Sequence, residues 1–210
     1  MSILENLKVF NSEYQPTGEI KSREICHSQG LYHETFQCFL LSELSYSGLI
    51  YLAKRSKSKK NSPLTYEATA SGHILHDESI ASGIRELEEE LGIKARYNDL
   101  VKVGVIHATD QANNDQDGIS MVNEFANVFI LKFSGKISDI KFDKNEIEGI
   151  LSLPVSSFLA MLEGELPMTI GEYFNEHTSS IEQLSIGHLT PTGKNYWENL
   201  SKQLKTMLKK

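Results

Sequence analysis

The stretch 72–93, GHILHDESIASGIRELEEELGI, constrains this chain most strongly, because it gathers many carboxylates on one short amphipathic segment. Its apolar residues recur at three- and four-residue steps, which is helical spacing: Ile80, Ile84, Leu87 and Leu91. On such a helix Glu86, Glu89 and Glu90 lie on one side as an i, i+3, i+4 set. These carboxylates repel one another unless a cation lies among them, and oxygen ligands suit Mg²⁺ or Mn²⁺. The pattern predicts a helical divalent-metal site, with a solvated acidic face as the alternative.

Residues 85–93, RELEEELGI, resemble the second half of the Nudix box, Gly-x5-Glu-x7-Arg-Glu-apolar-x-Glu-Glu-x-Gly-apolar, and match it at every defined position. The first half departs from the motif. Gly72 and Glu78 keep the Gly-x5-Glu spacing, but only six residues separate Glu78 from Arg85. Counting back from Arg85 instead places Asp77 at the glutamate position. The sequence leaves open whether Asp77 or Glu78 pairs with Arg85.

The resemblance implies an α/β fold, an α/β/α sandwich with a mixed sheet between helices. A chain of 210 residues is long enough for one domain with a substantial core. We predict a single domain over residues 1–210, with a core of about 30–165 and a C-terminal helical extension over 166–210. The last helix, at about 192–208, aligns apolar residues on one face and is expected to cover the domain's own core: Tyr196, Trp197, Leu200, Leu204 and Leu208.

The remaining elements are predicted from periodicity and turn residues. A turn is expected at 16–18, and a helix is expected to begin at Ser22 and to stop at Gly30. Strands are predicted at 32–41, 48–54, 64–70, 100–107 and 121–133, and the chain past Gly135 is predicted to be helical. The polar segment 109–120 is predicted as a loop. Its residues have the spacing of a calcium-binding EF-hand loop, but the flanking strands argue against one, since an EF-hand needs a helix on each side.

Composition excludes several classes of partner. The net charge is −7 and no long basic stripe occurs, so nucleic acid is not expected as a partner. Cys26 and Cys38 are too few for a disulfide framework and indicate a reducing compartment. The sequence has no secretory signal pattern and no apolar stretch of about 18 residues, so no membrane association is expected. The protein is predicted to be cytoplasmic.

A wider resemblance covers about the first 135 residues. The segments PTGEIKSREICHSQGLYHETFQCFLL, AKRSKSKKNSP, SGH and NEF are similar to type 1 isopentenyl-diphosphate isomerase and its hydrolase-like relatives. In that enzyme three histidines and carboxylates hold a divalent metal. The resemblance implies metal-binding roles for His27, His33 and His73 and a catalytic, metal-bound role for Glu124. It also implies that basic residues contact the diphosphate and that a box glutamate binds magnesium: Arg55, Lys59 and Glu90.

Departures from the isomerase at its proton-transfer residues, together with the complete Arg-Glu and Glu-Glu elements of the box, favour hydrolysis over isomerisation. The isomerase needs a cysteine before its Gly-His pair to transfer a proton, and this chain has Ser71, whose hydroxyl is a poor proton donor or acceptor at neutral pH. Ile106 stands in place of an active-site tyrosine, and Val122 in place of a second carboxylate ligand. The box, by contrast, keeps its Arg-Glu and Glu-Glu elements.

The expected function is therefore that of a metal-dependent hydrolase that cleaves a diphosphate linkage in a nucleoside-diphosphate-X compound or a related small metabolite. Glu86, Glu89 and Glu90 are expected to hold Mg²⁺ or Mn²⁺, with Arg85 orienting them, and the histidine set to hold a second divalent metal. Glu90 or Glu124 is the expected general base. The alternatives are an isomerase-like enzyme and a non-catalytic Nudix-fold metabolite sensor. The sequence leaves open whether the chain forms a homodimer.

Overall fold

A computed structural model describes residues 5–114, 118–176 and 178–208, and its principal feature is one large mixed sheet. The strands are β1 Asn6–Phe10, β2 Pro16–Ser22, β3 His33–Leu41, β4 Leu49–Arg55, β5 Tyr66–Glu67, β6 Ala70–His73, β7 Leu100–Asn114, β8 Gly118–Lys132, β9 Ile147–Pro154, β10 Thr169–Asn175 and β11 Thr178–Leu184. The helices are α1 Arg23–Gln29, α2 Arg85–Leu91, α3 Val155–Leu162 and α4 Lys194–Leu208. Short 3₁₀ turns cover Ile80–Ile84, Tyr97–Asp99, Ile137–Asp139 and Ile186–His188.

The main sheet is covered by helices on both faces. Its strand order is β11-β10-β9-β4-β3-β8-β7, and β3 runs parallel to β8 while the neighbouring pairs are antiparallel. On one face α2 packs Leu87 and Leu91 against the sheet. On the other, α3 and α4 bury apolar side chains that include Phe158 and Leu200. The predicted α/β/α sandwich with a mixed sheet is confirmed. Within the described part of the chain, every helix is too short or too polar to cross a bilayer.

The sheet divides near its centre, and this division positions the site. β3 and β4 pair through Leu40 with Tyr51 and Leu41 with Ile50. Beyond these pairs the two strands separate, and β6 pairs with β3 while β5 pairs with β4. The segment 66–73 therefore lies in the gap, with the C-terminal end of β6 beside the first residues of β3.

The local signals for the helices before and within the box are confirmed. Ser22 caps α1 by accepting a hydrogen bond from the N–H of Ile25, and α1 ends at Gly30 in the left-handed conformation. α2 likewise ends at a left-handed Gly92. The first turn differs from the prediction, because the chain reverses around Tyr14 and β2 already begins at Pro16.

The polar segment 109–120 is largely strand, so the predicted loop is wrong over most of its length. β7 continues to Asn114 and β8 begins at Gly118, with pairs running from Asp110 opposite Val122 to Asn114 opposite Gly118. Cross-strand backbone pairing thus overrides the polar composition. The ligand positions of the EF-hand pattern at Asp115 and Asp117 lie outside the described residues.

The prediction that the chain past Gly135 is helical is wrong in part, because β9, β10 and β11 all lie there and join the main sheet. Residues 169–173 alternate between buried and exposed, which is a strand pattern. The last helix, α4, does cover the core as predicted, and its apolar face is buried: Tyr196, Trp197, Leu200, Leu204 and Leu208.

Candidate functional site

The structure brings the three predicted histidines and Glu124 together from four separate elements. His27 comes from α1, His33 from the start of β3, His73 from the end of β6 and Glu124 from β8. Each offers a ligand atom that lies within 4.8 Å of the others. The Nε2 atoms of His27 and His73 are 3.2 Å apart, and Oε1 of Glu124 lies 3.7 Å from Nε2 of His33 and 4.0 Å from Nε2 of His73. The set forms a compact cluster with one carboxylate.

Backbone carbonyls orient two of these rings. Nδ1 of His33 donates to the carbonyl of Leu31 at 2.8 Å, and Nδ1 of His27 donates to the carbonyl of Met121 at 3.2 Å. In a neutral imidazole the other nitrogen then carries a lone pair that points into the cluster. Nε2 of His33 is buried and has no hydrogen-bond partner. A buried acceptor without a hydrogen-bond partner costs free energy, and a bound cation would pair with this lone pair. The donor set therefore fits a divalent cation that binds both imidazole and carboxylate.

The protonation states of side chains in the cluster also suit metal binding, which requires neutral imidazoles and ionised carboxylates. Burial lowers the pKa of His27 and holds the pKa of His73 well below its ordinary value, so both rings are neutral at pH 7. Burial alone would raise the pKa of Glu124, but the closeness of His33 brings it below the usual range. The neutral rings of His27 and His73 thus lie beside an ionised carboxylate.

The box carboxylates lie on the other side of β6. A Cβ atom on Gly72 would lie 1.9 Å from Oε1 of Glu86, so this approach requires glycine. Burial raises the pKa of Glu86 to about 7. Glu90 accepts a hydrogen bond from the N–H of Ser71 at 3.0 Å, and burial raises its pKa well above the ordinary value. Since His73 follows directly, β6 connects the two groups of side chains.

The contacts of Arg85 show which acidic residue pairs with it in the shortened box. Its Nε donates to Oε1 of Glu78 at 2.9 Å, whereas Asp77 is exposed and lies 3.8 Å from His76. Arg85 also donates to Oε2 of Glu89 at 3.0 Å and to the carbonyl of His73 at 3.1 Å. Arg85 thus ties α2 to the preceding loop and to β6.

The three box glutamates do not converge on one point. Among the described residues, the group whose ligand atoms lie close enough together to hold a metal is the histidine cluster with Glu124. Glu86 and Glu89 contact the guanidinium of Arg85, while Glu90 turns to the backbone of Ser71. The cation that the repelling carboxylates require is thus supplied in part by Arg85.

The predicted diphosphate-binding cations are both paired with carboxylates. Nη1 of Arg55 lies 2.8 Å from each oxygen of Glu67, and its other N–H groups donate to the carbonyls of the loop that follows β4. Lys59 contacts Glu146, and burial lowers its pKa. Arg55 therefore holds the loop and β5 in place, and Lys59 is the less constrained of the two.

Sequence reasoning missed Arg23, the first residue of α1. Its side chain is about half exposed and pairs with Glu5 at 3.1 Å, and its charge acts on His27, His73 and Glu124. The available signal was its position, one helical turn before His27.

A small cavity of about 20 Å³ borders β6 on the side of α4. It is lined by Gln37, Glu67, Ala68, Ser71, Thr192, Tyr196 and Trp197. The buried hydroxyl of Tyr196 bonds Oε1 of Gln37 and closes the space. A volume of this size holds about one water molecule. A larger depression of about 590 Å³ lies at the opposite end of β3, beside Ser42 and Tyr51, and contains none of the candidate residues.

Comparison with known proteins indicates a family. No family model matches the chain. It is 28% identical over 170 residues to an uncharacterized Nudix hydrolase of Clostridium acetobutylicum, covering 81% of this chain and 80% of the relative. It is 29% identical over 177 residues to Nudix hydrolase 3 of Arabidopsis thaliana, covering 80% of this chain but 22% of that longer protein. Over about 80% of its length the chain is thus similar to proteins named Nudix hydrolases. A solved structure of a MutT/nudix family protein from Enterococcus faecalis shares the fold, with a TM-score of 0.52 at 12% identity over 84% of this chain and 62% of that one.

The helix that carries the box residues is α2, and the histidine cluster lies beside it across β6. Both relatives are named as hydrolases, and this similarity supports a hydrolase. The closer resemblance to the isomerase branch stays a prediction.

Proposed function

We propose that this chain is a Nudix hydrolase that requires a divalent metal and cleaves the diphosphate linkage of a nucleoside-diphosphate-X compound or a related small metabolite. The observation that carries the proposal is the partly buried cluster of His27, His33, His73 and Glu124, joined through β6 to Glu86 and Glu90. Histidine nitrogens, a carboxylate and an unpaired lone pair on His33 form a donor set suited to Zn²⁺ or Mn²⁺.

A bound metal would supply charge for the phosphates and lower the pKa of a coordinated water. We infer that His27, His33, His73 and Glu124 hold one divalent ion. The box carboxylates Glu86, Glu89 and Glu90 would hold Mg²⁺ or Mn²⁺ once a substrate and its ion draw them from Arg85 and Ser71. Four protein ligands are enough for the first of these ions.

Glu90 is the favoured general base of the two candidates. Burial raises its pKa, so its carboxylate form is a stronger base than an exposed carboxylate toward the attacking water. Glu124 has a lowered pKa and is better suited to bind a metal.

The cations around the site are suited to bind an anionic substrate. Arg23 is half exposed beside the histidine cluster, and Lys59 lies close enough to Glu90 for their charges to interact. Both would contact phosphate oxygens, with Arg55 holding the loop that carries Lys59 in position. Cys26 and Cys38 are free thiols, which supports a reducing, cytoplasmic location.

An assay of both reactions tests the proposal. Nucleoside-diphosphate derivatives and isoprenoid diphosphates are incubated with Mg²⁺ or Mn²⁺, and phosphate release and double-bond migration are both measured. We expect phosphate release without migration, and its loss in a His33→Ala/His73→Ala variant that keeps the wild-type circular dichroism spectrum. Migration without release would establish the isomerase alternative, and tight binding without either reaction would establish the sensor.

A further inference from the structure

The two edges of the main sheet differ in how they are protected. At one edge, β7 is covered by α4 and the segment before it: the N–H of Thr109 donates to the carbonyl of Thr192, and Gln203 packs against Gly104. At the other edge, β11 pairs with β10 alone among the described strands. A free strand edge carries unpaired N–H and C=O groups that another strand can pair with.

The edge formed by β11 is also the most apolar exposed region of the described chain. Of the eleven large apolar side chains that are exposed there, five fall within residues 166–186: Leu166, Met168, Ile170, Ile181 and Ile186. Ile181 is 72% exposed and Ile170 is 56% exposed. The register places Ile181 opposite Glu172 and Ile170 opposite Gln183, so both isoleucines project from the same face of adjacent strands. Such a patch is typical of a protein–protein contact.

The charges of β11 favour a copy of the same strand as its partner. Its sequence, TSSIEQL, has no lysine, arginine or proline, which are the residues that usually protect an edge. Its one charged side chain, Glu182, contacts Lys54 at 3.0 Å and the hydroxyl of Tyr66, so the strand offers no free charge to a charged partner. Antiparallel pairing about the central Ile181 would set Glu182 opposite Ser180 and Ile181 opposite Ile181. No like charges would meet.

We propose that β11 is a homodimer interface, in which two copies pair antiparallel across a two-fold axis at Ile181 and their main sheets become continuous. The contact is isologous, so each copy contributes the same strand. The inference is independent of the proposed hydrolase activity.

Sedimentation velocity across micromolar concentrations tests the interface. The wild-type chain is expected to sediment as a dimer that dissociates on dilution. Ile181→Lys is expected to be monomeric, because two lysines would be opposed at the axis. Ile20→Lys is the matched control, since Ile20 is also exposed (52%) but lies on β2, and it should dimerise like the wild type. A wild-type chain that is monomeric at all concentrations would overturn the proposal, as would an Ile181→Lys variant that dimerises normally.

Crosslinking tests the position of the axis. Both native cysteines, Cys26 and Cys38, are buried, so a crosslink in the folded protein is expected to form through the new surface thiol. Cβ atoms of directly opposed residues lie about 4.5–5.5 Å apart, close enough for a disulfide after small adjustment. Under mild oxidation Ile181→Cys is expected to form a covalent dimer and Ile20→Cys to remain a monomer in denaturing electrophoresis. A wild-type dimer that Ile181→Cys fails to crosslink would place the interface elsewhere.

Discussion

At the scale of single residues, hydrogen bonds through the second ring nitrogen orient two of the cluster histidines, and the third histidine faces a carboxylate. His27 and His33 donate to backbone carbonyls, whereas Nδ1 of His73 faces Oε2 of Glu5 at 3.9 Å. Partners of this kind fix the tautomer and the ring of a metal-binding histidine. Glu5 is therefore the one side chain in this role that a mutation can remove without changing a proposed ligand.

We predict that Glu5→Gln weakens metal binding by about 10- to 100-fold, because the lost carboxylate no longer orients His73 or raises its basicity. Competition with a chromophoric chelator measures the affinity of the metal-free protein for Zn²⁺ and Mn²⁺. Glu24→Gln, at an exposed position of α1, should bind like the wild type. Equal affinities in all three proteins would show that Glu5 does not orient the ring.

We predict that Glu90→Gln lowers the turnover number at least about 100-fold and leaves the fold intact, because an amide keeps the shape of the side chain but neither binds a cation well nor accepts a proton. Glu88→Gln is the control, since Glu88 is exposed and contacts Lys94 away from β6. Steady-state kinetics with Mg²⁺ titration measures both variants. A Glu90→Gln enzyme with wild-type turnover and metal dependence would contradict the assignment.

At the scale of secondary-structure elements, the contact of α2 with β6 depends on one glycine. A methyl group at Gly72 would overlap the carboxylate of Glu86, which is buried there. We predict that Gly72→Ala lowers the free energy of unfolding by about 1–3 kcal/mol, the usual cost of overpacking, and lowers activity because Glu86 is displaced. Chemical denaturation measures the first effect. Gly187→Ala is the control, since a methyl group there would meet its nearest neighbour at 3.9 Å. Equal stability of the two variants would contradict the prediction.

The sequence predicts those elements whose signals are local. The cap at Ser22, the left-handed glycines after α1 and α2 and the apolar period of the box all depend on neighbouring residues, and all were found. The extensions of β7 and β8 and the strands β10 and β11 depend on partners far along the chain, so composition alone misassigned them.

The candidate site divides in the same way. The box carboxylates follow from helical spacing, whereas the histidines come from three elements and were singled out because of the family resemblance. The pairing of Arg55 with Glu67 was not predicted, because nothing in the spacing of the two residues shows that β4 and β5 are neighbours.

At the scale of the whole molecule, the stability of the metal-free protein should depend on pH through Glu86. Its pKa is raised from 4.5 to about 7 by burial, so the folded state holds a proton that the unfolded state has already released. This stability is lost as the pH rises through 7. Burial lowers the pKa of His27 and His73, so these two act in the opposite direction as the pH rises past their unfolded pKa of 6.5.

Between pH 6.5 and 8 we therefore predict that the ionisation of Glu86 costs the metal-free protein about 1 kcal/mol, or about 2–4 °C in Tm. This cost is the difference between the Tm change of the wild type and that of Glu86→Gln, because the histidines and Glu90 titrate in both proteins. Thermal unfolding of the two proteins in a pH series measures it. Equal Tm changes in the two proteins would contradict the prediction.

The shortness of β6 has a consequence for which changes this protein can tolerate. Ser71, Gly72 and His73 are consecutive residues with three different contacts. The N–H of Ser71 bonds Glu90, Gly72 leaves space for Glu86, and His73 belongs to the histidine cluster. Since neighbouring side chains of a strand project from opposite faces, the loss or gain of one residue between 70 and 73 would exchange those faces. A side chain would then enter the space that Gly72 leaves for Glu86, and the imidazole would turn toward α2. The number of residues in this segment is thus more tightly constrained than most of their identities.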